Sequence, residues 1–169
     1  MQAYLDKRRI RRGIAVRFGM GAAPDSWDAL LTAMTHKGYT KQELISAGLA
    51  VNGKNGRLYD KFRNRLMLPV IDVRGDVVGF GSRVLDKSEP KYMNSSETPV
   101  YSKRRVLYGL NLAKKSKRPN IILCEGNLDI VTLHQAGFDN AVASMGTALT
   151  IEQTRLLSRF TKELVLCYD

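Results

Sequence analysis

Three acidic residues are placed where an acid can do chemistry. Glu125 immediately follows the apolar run Ile121–Cys124, Asp129 comes one helical turn later, and Asp169 immediately follows a second run, Leu164–Tyr168. Converging carboxylates form an oxygen-ligand site for Mg²⁺ or Mn²⁺, hard cations that in turn hold phosphates. Gly126 lets the backbone turn sharply between the first two. A plainer reading makes Glu125 and Asp129 helix N-terminal acids favoured by the dipole, and Asp169 a strand-end turn residue. A second constellation is basic: Arg63, Arg65, Arg83, Lys91 and Lys103, interleaved with Phe62, Phe80, Tyr92 and Tyr101. That mixture can hold phosphates and stack on bases, and Gly79 and Gly81 would let a nucleotide backbone approach their strand. The plainer alternative is a solvated basic face with Phe62 and Phe80 in the core. His36 and His134 have no Cys or His at ligand spacing and read as structural. No P-loop, Gly-x-Ser-x-Gly or Cys-x-x-Cys pattern occurs, which argues against a Walker-type nucleotide hydrolase and against a zinc site.

For the acids to converge, the runs that precede them must be strands of one sheet. From Asn120 the pattern is β-α-β-α-β: strand 121–124, helix 127–136, strand 140–143, helix 150–160, strand 164–168. Continuous apolar runs alternating with helices predict a parallel sheet covered on both faces, with ligands beyond its carboxyl edge. Thr150-Ile151-Glu152-Gln153 is a capping box, and Leu149, Leu156 and Phe160 fit one helical stripe. Upstream, residues 2–48 read as helical. Trp27, Leu30, Leu31 and Met34 form a buried stripe capped by Asp25, and Thr40-Lys41-Gln42-Glu43 is a second capping box before Gly48. Residues 51–56 read as a loop, and Leu66–Asp72 and Val77–Val84 as a hairpin turning at Arg74-Gly75. Pro69 lacks a ladder donor, which places its strand at an edge or a bulge. Residues 86–102 read as loop, and 109–117 as a helix ending in cations before Pro119.

The 169 residues carry a net charge of +11, unevenly distributed. Residues 1–118 hold 24 basic against 10 acidic residues, a net +14, whereas residues 119–169 hold 3 against 6, a net −3. The first part suits a polyanion such as nucleic acid; no basic amphipathic helix with an apolar face suggests a lipid surface instead. No apolar run approaches the roughly 20 residues needed to span a bilayer, and no secretory h-region follows Lys7-Arg8-Arg9, so a cytoplasmic protein is expected. The two cysteines lie in apolar runs and read as reduced core residues.

Five co-linear segments resemble successive motifs of the bacterial DnaG-type DNA primases: Arg63–Pro69, Gly79–Arg83, Pro90–Thr98, Lys103 with Leu107-Tyr108-Gly109, and Glu125–Asp129. The stretch from Tyr4 to Phe62 is similar to the start of that family's RNA polymerase domain, so the resemblance covers essentially the whole chain. It implies an α/β protein: an α+β basic subdomain at 1–118, then a truncated Toprim β-α-β-α-β parallel sheet at 119–169. It implies synthesis of short RNA primers on a single-stranded DNA template from ribonucleoside triphosphates, by metal-dependent nucleotidyl transfer. Glu125, Asp129 and Asp169 would hold Mg²⁺ or Mn²⁺, with Glu125 assisting deprotonation. Lys91, Tyr92, Asn94, Ser95 and Lys103 would hold the nucleotide, and Arg63, Arg65 and Arg83 would track the template or hybrid backbone. The family's third motif is Asp-x-Asp, of which Tyr168-Asp169 supplies only the first acid. The chain therefore reads as a fragment expected to be weak or inactive in priming. The zinc-binding module is missing, and helicase contact is expected only through an absent C-terminal domain. Asn127, where many members carry Tyr, reads as a peripheral departure. Rival readings are another Toprim enzyme, a topoisomerase or nuclease, and a non-catalytic single-strand-binding module.

Overall fold

A computed structural model describes residues 1–146 and 148–168. Three sheets organise it: a four-stranded antiparallel sheet in the order 21–23, 65–71, 77–84, 92–94, a two-stranded hairpin of 50–52 and 58–60, and a three-stranded parallel sheet in the order 141–143, 121–124, 164–167. The parallel sheet is built as the apolar runs require, from β7 (Ile121–Cys124), β8 (Ala141–Ala143) and β9 (Leu164–Cys167), with α6 (Asn127–Gln135) and α7 (Ile151–Leu157) as its connections. The Thr150–Gln153 capping box forms and starts α7. The sheet is not covered on both faces throughout. β9 is an edge strand with Val165, Leu166 and Cys167 exposed, so only Cys124 is a core thiol. Phe160 lies beyond the end of α7 and is also exposed.

The expected hairpin is β4 (Arg65–Ile71) and β5 (Val77–Val84), with Asp72 accepting the amides of Arg74, Gly75 and Asp76 in the turn. Pro69 sits inside a flanked strand, and the register explains why. The Phe80 amide and carbonyl both bond Ser95, so Pro69 and Phe80 face each other as a non-hydrogen-bonded pair. The missing donor therefore points toward β1 (Gly21–Ala23), whose pairing ends at Met67, and a register shift follows between Val70 and Ile71. Four short strands add to those expected: β1 lies in the stretch read as helix, β2 (Ala50–Asn52) overlaps the loop at 51–56, β3 (Leu58–Asp60) follows that loop, and β6 (Tyr92–Asn94) lies in the stretch read as loop at 86–102. The helical stretch resolves into α1 (Gln2–Lys7), α2 (Arg12–Arg17), α3 (Ala29–His36) and α4 (Lys41–Ser46), and the helix expected at 109–117 is the short α5 (Leu110–Ala113).

Two local expectations are corrected. Asp25 does not cap α3; buried Asp60 does, its carboxylate accepting the amides of Leu30 and Leu31 at 2.7 and 2.9 Å. Trp27 precedes the helix and is 60% exposed, so it is not part of a buried stripe. The main core crosses residue 118: Leu5, Phe18, Leu66 and Leu68 pack in one cluster with Cys124, Ile130 and Ala143. Gln135, at the end of α6, accepts the Arg11 amide and donates to the Arg9 carbonyl. These contacts dock the basic N-terminal helices on the unit that carries Glu125. Among the described residues no helix is long and apolar enough to cross a membrane.

Candidate metal and nucleotide site

Residues directly opposite in an antiparallel ladder share a face. Leu66 pairs with Arg83 and Arg83 with Tyr92; Leu68 pairs with Gly81 and Gly81 with Asn94. Arg83, Tyr92 and Asn94 therefore project from the face that meets the parallel sheet. Asn94 spans the junction, donating Nδ2 to the Met145 carbonyl at 3.1 Å. A cleft of about 300 Å³ opens there, lined by Tyr92 and Asn94 on one side and by Glu125, Asn127, Asp129 and Met145 on the other.

The acids reach this cleft by backbone geometry. β7 ends at Cys124, Glu125 follows, and α6 begins two residues later with Asp129 in its first turn. Both carboxylates are exposed. A Cβ at Gly126 would stand 2.4 Å from Asp129 Oδ2, so glycine there leaves room for the carboxylate to fold back over the turn. Two carboxylates fit the usual mode of Mg²⁺, which keeps several waters and binds through one or two acids plus substrate phosphates. Among the described residues no group of three His, Cys, Asp or Glu side chains is placed to hold an ion. The third expected ligand, Asp169, lies outside the described residues. Its neighbourhood is described up to Tyr168: Cys124 pairs with Cys167, which sets Tyr168 beside Glu125. Burial, then the Glu125 charge, pushes the Tyr168 phenol above its ordinary range, and burial, then Cys167, pushes the Cys124 thiol up to about 12.

The structure distributes the expected basic and nucleotide-binding residues over more than one place. Arg83 lies 4.9 Å from the Tyr92 ring centroid and 5.2 Å from that of Tyr4. Arg63 stacks over Trp27 at 4.1 Å and Tyr59 at 5.0 Å, away from the cleft, and bonds the Asp60 carbonyl. Arg65 is buried, with one nitrogen on the Pro90 carbonyl. The Val84 amide donates to the Lys91 carbonyl, so Lys91 falls opposite Val84, on the back face; its ammonium lies 5.8 Å from the Tyr92 ring centroid at the sheet edge. Ser95 is fully buried and its hydroxyl accepts the Phe80 amide, so in this structure it holds the sheet. Half-buried Lys103 has its amide on Glu97 and its carbonyl on Gln153.

Three sequence readings change here. Tyr101 is buried, and burial raises its phenol pKa; it is a core ring, not a stacking platform. Gly79 and Gly81 make room for protein rather than for a nucleotide backbone: their Cβ atoms would stand 2.8 Å from the Tyr101 ring and 2.4 Å from Asn127 Nδ2. Asn127 is thus not peripheral but wedged between the sheets. Met145 was missed, with its positive φ of 63° and its carbonyl on Asn94. The signal was available, because the carboxyl end of β8 opens on the same edge as Glu125.

Comparison with known proteins agrees with this geometry. Residues 1–114 match the family model of the DNA primase catalytic core, N-terminal domain, and residues 120–169 match a Toprim domain. The DNA primase of Clostridium acetobutylicum is 51% identical over 98% of this chain and 28% of its own length. That of Escherichia coli K12 is 44% identical over 98% of this chain and 29% of its own. The E. coli primase catalytic core superposes with a TM-score of 0.94 at 42% identity, covering 99% of this chain and 54% of that one. A DnaG primase catalytic domain bound to ssDNA gives 0.93 at 42% identity, over 99% and 55%. The chain thus spans less than a third of the curated primases it matches. With the N-terminal model covering residues 1–114 and the Toprim model residues 120–169, the chain belongs to the DNA primase catalytic-core family.

Proposed function

We propose that this chain is part of a primase catalytic core that extends RNA primers on single-stranded DNA, with residues 1–118 serving nucleic acid and nucleotide and residues 119–169 serving the metal. The observation that carries this reading is the cleft that sets Glu125 and Asp129 across from Tyr92 and Asn94. Glu125, Asp129 and Asp169 are the proposed ligands of Mg²⁺ or Mn²⁺, which when bound would activate the attacking 3′-oxygen and screen the departing pyrophosphate. Tyr92 and Asn94 orient the ribonucleotide at the cleft wall. Arg83 and Lys91, both near the Tyr92 ring, supply charge for the phosphates, and Lys103 adds to that field. Arg63, with Trp27 and Tyr59 beside it, offers the cation-and-ring pairing that holds a single strand without reading its sequence. The solved relative bound to ssDNA supports this part of the reading.

Equilibrium binding of ATP, with and without Mn²⁺, tests it. Binding is expected to require Mn²⁺ and to weaken about tenfold on Tyr92→Ala, the loss of a stacking or phosphate-orienting contact. ATP binding indifferent to both changes would overturn the assignment. Binding of a single-stranded oligonucleotide is expected to fall steeply with salt, with a slope of about −0.7 per neutralised phosphate.

A further inference from the structure

Arg65 was expected on the nucleic-acid track, and its surroundings give it a different task. It opens β4 and is 5% exposed. A buried guanidinium stays charged and is costly without compensation. Nη2 donates to the Pro90 carbonyl at 2.7 Å, while Nη1 is buried without a hydrogen-bond partner. The acids nearest to it are turned elsewhere: Asp86 accepts from Ser88 and Asn64, and Glu89 accepts the Lys91 amide. The next carbonyl along, that of Lys91, is held by the Val84 amide at 3.0 Å. Two successive carbonyls are therefore tied to β4 and β5 just before β6 begins at Tyr92. Pairing with Val84 puts Arg65 on the face turned away from Arg83, Tyr92 and Asn94.

We propose that Arg65 is a positioning residue: from the back of the sheet it fixes the Pro90 carbonyl, and so the point from which Lys91 and Tyr92 reach the nucleotide, without itself touching phosphate. This rests on the proposed role of Lys91 and Tyr92. Lysine is not expected to replace arginine here, because its ammonium is more strongly hydrated and costlier to bury, and its stem is shorter than the guanidinium that reaches the carbonyl.

The test is a double-mutant cycle on Mn²⁺–ATP binding, joined to limited trypsin digestion of the ligand-free protein. Arg65→Gln and Arg65→Lys are each expected to weaken ATP binding to a similar degree, roughly tenfold. In a Lys91→Ala, Tyr92→Ala background neither should weaken it further, the non-additivity of groups that act as a unit. Cleavage after Lys87 and Lys91 should rise several-fold in both variants. Retained affinity in Arg65→Lys with loss in Arg65→Gln would show that the charge itself matters and overturn the proposal. So would a full additional loss in the double-variant background, or unchanged cleavage. If Lys91→Ala and Tyr92→Ala leave ATP binding intact while Arg65→Gln still frees the loop, the nucleotide assignment fails and the positioning role stands.

Discussion

In the antiparallel region, Arg63, Arg65 and Arg83 are held by rings and carbonyls, and none of them forms an ion pair among the described residues. In the parallel region, Glu125 and Asp129 stand exposed, line one cleft, and are equally without an ion pair among those residues. The two regions thus prepare charge differently. Rings and carbonyls fix the cations in place while leaving their charge uncancelled, so the field for a polyanion is preorganised. The acids follow the end of β7 within one turn, so like charges share a cleft with no cation from the protein paired to either. Of the three arginines, only Arg83 projects from the face that meets the parallel sheet, and it forms no ion pair with Glu125 or Asp129.

The two regions are electrostatically distinct but share one core. Leu66 is fully buried in the core cluster shared by both, and Leu66→Ala should cost about 2–5 kcal/mol. Denaturation followed by Trp27 fluorescence, which reports the basic region, should coincide with the loss of far-UV ellipticity; separate transitions would mean two independent units. Gly79→Ala should cost about 1–3 kcal/mol by thermal melting, because its Cβ would stand 2.8 Å from the buried Tyr101 ring. Each region has one capping box, and removing either hydroxyl should cost about 1 kcal/mol. Thr150→Ala should exceed Thr40→Ala, since the Thr150 hydroxyl also donates to the Arg104 carbonyl at 2.7 Å and ties α7 to the basic part.

The smallest expected effect is pH-dependent. His134 is buried beneath Phe18, with Nε2 on the Ala141 carbonyl and Nδ1 unpartnered. Burial depresses its pKa, so the fold favours the neutral ring. The resulting stability is complete above the unfolded value of about 6.5 and is lost as pH falls through the folded value. Melting temperatures across pH 5–7 should show this loss, and His134→Gln should flatten it.

How much of this was readable in the chain depended on range. β7, β8 and β9 are apolar runs separated by helices of ordinary length, one opened by its own capping box, so the parallel sheet and the position of Glu125 followed from local pattern. Strands β1, β2, β3 and β6 are three residues each, too short to show a period of two against their surroundings. The α3 cap was misassigned because its carboxylate comes from Asp60, about thirty residues away and invisible to a local window. Trp27 has helical spacing from Leu30 and Leu31, but Arg63 and Tyr59 occupy it from outside. The basic residues were identifiable by type, but their partition between the two faces required the register of three strands.

The central claim is that Glu125 and Asp129 form a cation site facing the nucleotide wall. It is tested most directly by titrating Mn²⁺ into the protein and following free Mn²⁺ by electron paramagnetic resonance. The structure leads us to expect a bound ion in the unaltered protein that is lost in Glu125→Gln and weakened in Asp129→Asn, with folding intact in both. Undiminished Mn²⁺ binding in Glu125→Gln would contradict it.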